Sequence, residues 1–408
     1  MIKMRQINYS RWILVSLVLA LLLITPYLTI VAHCSTDSHT SINEAAMRLV
    51  KFCNDPKVGL DERDVATLVD YVQSPKQNRE HALLESQGCP GAYQEFDTKI
   101  SFSRFMAYSY NSLIPPAVTR PSSMRYSLWS DLHGKFQKLP SNWKLIPPAG
   151  APLILHGLQQ NSNTPDPTTG LYYKYDVKRT FILVNCKGRQ VLISVSKQIG
   201  ESSVGEKGYI LGSDSEWNYY YSGEPGSAKA GLGWVKSYIY DFFSVGVYME
   251  SSISPAMMRN GVFQWISAGW SGINFVQPNN IIAGMKRFAR DNRMILESPR
   301  LPTPNQMIST YQWLSNMPTN DLTKIYSAIQ QARWSEALQL GKISGSKADN
   351  PASLVKTSKD QIVAELMLEY IKLALGKPTP VGKQFSLMPP DSLRRTEKLL
   401  TKINSRMF

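Results

Sequence analysis

The first 32 residues constrain this chain more than any motif in it. Lys3, Arg5 and Arg11 lead into residues 12–32, a run of 21 residues without a charge. At about 1.5 Å per residue, a helix of that length crosses the ~30 Å hydrocarbon core of a bilayer. Positive charge ahead of the run holds that end in the cytoplasm, so the remainder is expected to be exported. Two outcomes fit residues 1–35. In one they are a cleaved signal peptide, with Pro26 breaking the helix and Ala32 and Ile30 at the −1 and −3 positions. In the other they remain as a signal anchor. Cys34 is disfavoured as a lipid-attachment site, because His33 occupies the place of a small residue. Either outcome puts the body outside the cytoplasm, periplasmic or anchored in the inner membrane of a cell envelope.

Export changes the expectation for the cysteines, Cys34, Cys53, Cys89 and Cys186. None forms a Cys-x-x-Cys pair, so zinc ribbons and thioredoxin-like sites lack their spacing. In an oxidising compartment Cys53 and Cys89 are the expected disulfide, closing a loop of about 37 residues for roughly 3–4 kcal/mol. The alternative is separate buried thiols. The five histidines are scattered, with no His-Glu-x-x-His spacing, so no metal site is expected. No phosphate-binding loop or dinucleotide fingerprint appears either, so no cofactor is expected.

Hydrophobic periodicity points to an α+β fold. A short N-terminal helical region is expected over 36–97. Its first helix opens on Ser41 and Glu44, a capping-box pair. Its second opens on Asp61, with Val65, Leu68, Val69 and Val72 at helical spacing. Residues 98–170 hold nine prolines, which argues for an irregular but ordered crossing segment. From about 150 to 275 the pattern turns to strands, including a hairpin of 173–186 and 190–197 about Gly188. No helical period alternates with these strands, so the 98–278 region reads as an antiparallel, aromatic-rich β-domain. Residues 279–408 read as a helical domain, with helices over 280–292, 321–340, 357–375 and 391–405. This last third carries 19 basic and 10 acidic side chains, out of a net +14 for the whole chain. Mean hydropathy of −0.23 excludes a polytopic membrane protein.

Two groups of residues are candidates for function. The first is aromatic. Three consecutive tyrosines on a strand cannot share one core face. Trp217, Tyr219 and Tyr221 fall on one side and Tyr220 on the other. With Glu216 and Glu224 beside them, and the glycine-rich 223–233 loop, they could form a ligand surface for sugar rings. A glycan hydrolase would need two facing carboxylates. Glu216, Glu224, Asp241 and Glu250 are candidates by proximity in sequence alone. Nucleophilic serine motifs are poorly formed, since Gly269-Trp-Ser271-Gly272 lacks the elbow register. The second group is cationic. In a helix over 391–405, Arg394, Arg395, Lys398 and Lys402 gather opposite Leu393, Leu399, Leu400 and Ile403. That surface suits anionic lipid or an acidic protein. Export of the chain argues against nucleic acid as a partner. The sequence therefore reads as an exported cell-envelope protein, a non-catalytic binding or assembly component, with a glycan hydrolase as the alternative.

Overall fold

The computed structural model describes residues 42–130, 139, 143–148, 150–229, 233–343 and 357–380. The export segment at 1–35 and the cationic helix bearing Arg394, Arg395, Lys398 and Lys402 lie outside these residues. The chain opens with helices α1 (Ile42–Asn54) and α2 (Glu62–Val72). The Asp61 carboxylate accepts the Arg63 backbone N–H at the start of α2, as an N-cap should. Strands β1 (Glu80–Ser86) and β2 (Cys89–Thr98) then form a hairpin in the stretch expected to be helical. Helix α3 (Phe102–Ser109) interrupts the expected irregular segment, capped by Ser101.

The main strands follow: β3 (Tyr126–Ser130), β4 (Leu153–Ser162), β6 (Lys174–Cys186), β7 (Arg189–Gln198), β12 (Ser237–Ile253) and β13 (Ala256–Trp270). They build an antiparallel sheet in the order β1-β2-β13-β12-β7-β6-β4-β3, with β14 (Ile273–Asn274) paired to β13. The chain thus starts the sheet at one edge, crosses to the other, and fills inward until β13 closes on β2. The β6–β7 hairpin turns on Lys187 and Gly188, both at positive φ (52° and 80°), the geometry a two-residue turn needs. Five short strands lie off this path: β5 (Leu171–Tyr172), β8 (Glu206–Ile210) and β9 (Tyr219–Pro225) make a three-stranded sheet, while β10 (Ser227–Lys229) pairs with β11 (Gly233–Val235). The chain continues in helices α4 (Pro278–Leu296), α5 (Pro304–Asn316), α6 (Thr319–Gln339) and α7 (Lys359–Ala374). The fold is therefore α+β with a large antiparallel sheet between N-terminal and C-terminal helices.

Strand alternation sends residues to two different helical layers. Ile182, Val184, Val191, Ile193, Val195, Phe243, Val245 and Val247 pack with Leu49, Phe52, Leu68 and Val72 of α1 and α2. Phe181, Leu183, Leu192 and Tyr248 face the other way, into a core shared with α3 and the C-terminal helices. Helix α4 covers the β2–β13 end through Ile281 and Met285. Helix α7 is buried on every side, not along one stripe, because α5, α6, the turn at Pro116–Val118 and β3 surround it.

The expected Cys53–Cys89 disulfide does not form. Cys53 and Cys89 are free thiols, and both are buried, as is Cys186. The Cys53 thiol points at the carbonyls of Lys178 and Val195, at 3.5 and 3.6 Å. The Cys89 thiol turns to the Gln87 carbonyl at 3.7 Å. Each sulfur is packed against different backbone, and burial pushes both thiols up, Cys89 to about 11. Such thiols are poor nucleophiles. The sequence pattern led to the pair through compartment and loop length, neither of which fixes where a sulfur points.

Candidate binding platform on the three-stranded sheet

The aromatic stretch 217–221 is divided by its strand. Tyr219 and Tyr221 face the C-terminal helices and are buried, with Trp217 beside them. These three, expected on a ligand surface, are core residues. Trp217 precedes the strand and adopts a left-handed backbone, φ 57°. Its ring is fully enclosed and covered by the Lys377 ammonium, 4.2 Å from the ring centre. Asn218 is also buried and donates to a Glu336 carboxylate oxygen at 2.7 Å.

Tyr220 lies on the opposite face, half-buried. It pairs across the strands with Tyr209, and the two rings stack at 6.2 Å with 19° between their planes. Cross-strand register produces this stack, since directly opposed side chains leave one face together. Lys207 stands 5.5 Å from the Tyr209 ring centre, and its ammonium donates to the Thr169 carbonyl at 3.1 Å. Partial burial raises both phenol pKa values, and the nearby Glu224 carboxylate adds to the rise. Ser222, between Tyr220 and Glu224 on this face, donates to the Lys207 carbonyl at 2.8 Å. The outcome is a half-open aromatic platform, Tyr209 and Tyr220, with a carboxylate and an ammonium at its rim. Tyr209 and Lys207 carried no signal of their own in the sequence, since only β8–β9 pairing brings them to Tyr220.

Glu216 is not part of the platform. It sits in the turn before Trp217, where its carboxylate accepts the Ser213 N–H. The other carboxylates considered for hydrolysis are also dispersed. Asp241 is ion-paired to Lys197. Glu250 lies nine residues further along β12, roughly 30 Å away at the rise of a strand. Asp214 is clamped by Arg287 and Arg290 and accepts the Tyr219 hydroxyl at 3.0 Å. Burial opposes its ionisation, yet these partners hold its pKa at about 2.

Beneath the platform lies a feature with no sequence signature. Arg125 meets Glu365 at 2.8 Å, Arg333 meets Glu365 at 3.1 Å and Glu369 at 2.7 Å, and Lys372 meets Glu369 at 3.1 Å. All five side chains are buried. Tyr326 and Gln330 donate to the Glu365 carboxylate, and the Arg125 guanidinium lies 3.7 Å over the Tyr221 ring. The cluster ties α6 and α7 to β9 and to the residue just before β3. A buried carboxylate held by two arginines anchors structure, because its lone pairs are already occupied.

Comparison with protein-family models, with curated proteins and with solved structures finds no match. Among the described residues, no group of three or more His, Cys, Asp or Glu could hold a metal ion, and no helix is long and apolar enough to cross a membrane.

Proposed function

We propose that this chain is an exported, non-catalytic binding component of the cell envelope that holds glycan rings on Tyr209 and Tyr220. The stacked, half-open pair carries the proposal. Flat aromatic faces take the apolar faces of sugar rings, and the charged groups of Glu224 and Lys207 offer an acceptor and a donor for hydroxyls. The rigid two-strand base keeps ligand binding from costing conformational entropy. Dispersal of Glu216, Glu224, Asp241 and Glu250 makes binding the better reading than hydrolysis. Residues 1–35 support export, and an alkaline-phosphatase fusion at the C-terminus tests it. Activity outside the cytoplasm is expected, whereas an inactive fusion with an active cytoplasmic reporter at the same position would end that part.

Binding itself is tested by titrating soluble peptidoglycan fragments against the protein while following tyrosine fluorescence. Saturable binding that falls at least tenfold with Tyr220→Ala supports the platform. Binding unaffected by Tyr220→Ala and by Tyr209→Ala contradicts it.

A further inference from the structure

The face of the main sheet that looks toward α4 has an unusual centre. Where a covered sheet would normally carry large apolar residues, it carries Arg179, Ser194, Ser196, Ser244 and Gly246 on β6, β7 and β12. Register places Arg179 opposite Ser196, Ser196 opposite Ser244, and Ser194 opposite Gly246. Ser194 and Ser196 are buried, while Arg179 and Ser244 keep accessible surface. A polar recess therefore enters the layer between sheet and helices.

Arg179 and Arg120 share this recess. Arg179 donates from Nε to Gln159 and from Nη1 to Ser194, both at 2.9 Å, which leaves the rest of its fork unused. Arg120 lies 5.3 Å from the Tyr110 ring centre and 5.9 Å from that of Phe288, and its Nε is buried without a partner. The two cations flank one pair of rings: Tyr110 and Phe181 are 5.4 Å apart, and Arg179 lies 5.8 Å from the Phe181 centre. Neither arginine has a carboxylate partner among the described residues. Burial and the neighbouring Arg120 charge both push the Arg179 pKa down. The buried hydroxyl of Tyr110 lies at the same place, beside Arg120 and Tyr248.

Among the described residues the fully buried arginines are paired, Arg125 and Arg333 with Glu365 and Arg259 with Asp97, whereas Arg120 and Arg179 are half-buried and have no such acid. Two half-buried guanidinium groups that face the same rings without an acid leave local positive charge that an anion would offset. We infer that the Arg120–Arg179 recess binds a dianionic oxyanion, a phosphate group carried by a small molecule or a lipid head. A phosphate monoester brings close to two negative charges and three acceptor oxygens, matching the two positive charges, the Arg120 Nε and the unused part of the Arg179 fork. A carboxylate would leave one charge unmatched. The aromatic walls, Tyr110, Phe181, Tyr248 and Phe288, suit an organic body attached to that group.

The test uses the full-length chain with three probes, each against sodium chloride of equal ionic strength: inorganic phosphate, glycerol phosphate, and vesicles containing phosphatidate. Thermal melting should rise saturably with a phosphate-bearing probe. Response to the soluble probes assigns a soluble ligand; response to vesicles alone assigns a lipid. Arg120→Gln and Arg179→Gln should each weaken the effect at least tenfold. Should these variants fail to fold, Arg179→Lys keeps the charge but loses the fork, and it too should weaken binding at least tenfold. No saturable response to any probe, or a response that survives these substitutions, overturns the inference.

Discussion

Glu365→Gln is the sharpest perturbation of the interior. The replacement keeps the size of the side chain and removes its charge. Wild-type Glu365 contacts Arg125 and Arg333 at 2.8 and 3.1 Å and accepts the Tyr326 hydroxyl at 3.1 Å. In the variant, three buried cations would share one buried carboxylate, Glu369. Removing one partner from such a cluster costs about 3–5 kcal/mol, because the remaining charges stay desolvated. At about 2.1 cal/mol/K of unfolding entropy per residue, a chain of this length shifts by roughly 1 °C per kcal/mol, so the melting temperature should drop by about 3–6 °C. Lys324→Gln is the control, since Lys324 forms only an exposed 3.8 Å pair with Asp321 and should change little. The pH dependence supplies an independent check. Burial pushes the Glu365 carboxyl up, but Arg125 and Arg333 outweigh it and leave the pKa below the usual value. A depressed folded pKa gives stability that is complete above the unfolded value of about 4.3 and is lost as pH falls through the folded one. The gap between wild type and Glu365→Gln should therefore be full at pH 7 and close only below about pH 4. Melting curves by circular dichroism from pH 3 to 8 measure both effects. A Glu365→Gln melt within 2 °C of the Lys324→Gln control at pH 7 would refute the anchoring role.

Four further outcomes follow from other parts of the molecule. Asp214→Asn should cost about 2 kcal/mol at neutral pH, lost in wild type as pH falls from about 4 through about 2; urea unfolding at pH 7 and pH 3 measures it, and equal losses at both would contradict the clamp. Gly91→Ala should destabilise by about 1–3 kcal/mol, because the new Cβ would sit 2.3 Å from Trp265 Nε1, which donates to the Leu84 carbonyl at 2.9 Å; a neutral variant by denaturant titration would show that Trp265 moves freely. Cys53, Cys89 and Cys186 should resist iodoacetamide in the native protein and react after unfolding, and a Cys53–Cys89 linked peptide in unreduced digests would reverse the correction made above. If the 391–405 stretch is a lipid-facing cationic helix, binding to anionic vesicles should weaken with salt and with Arg394, Arg395 and Lys398 all changed to Gln; binding that ignores both would remove that role.

Much of the fold was legible because burial leaves periodicity. The α7 helix was bounded well by its sequence: Ser358 caps it, and Gly376 follows it at φ 74°. The β6–β7 hairpin likewise announced itself through alternation and Gly188. Strand β12 runs 17 residues, but its register shifts at Ile239/Asp241 and Glu250/Ser252. Each shift flips the alternation, so one strand reads as several. The β1 hairpin was missed for the opposite reason. Its outer strand is exposed along most of its length, so Glu80–Ser86 carries no apolar alternation. Helix α3 spans only eight residues inside a proline-rich stretch.

The candidate site was half legible. Steric reasoning on Tyr219-Tyr220-Tyr221 separated Tyr220 from its neighbours, but it could not say which face would be covered. Partners far apart in sequence decided that. Arg125 lies 240 residues from Glu365, and their meeting buries Tyr221. Arg333, Glu369 and Lys372 look like ordinary charges on a solvated helix until three elements close over them. Arg120 and Arg179 are hidden in the same way.

The measurement that bears most directly on the proposed function is glycan binding by the double variant Tyr209→Ala/Tyr220→Ala. Both rings are half-buried on the open face of the small sheet, so their removal should leave the melt of the main fold within a few degrees of wild type. Titration with soluble peptidoglycan fragments should then show saturable binding by wild type and at least a hundredfold loss in the variant, about 2.7 kcal/mol or more. Equal binding by a folded double variant, or no binding by wild type, would contradict the account.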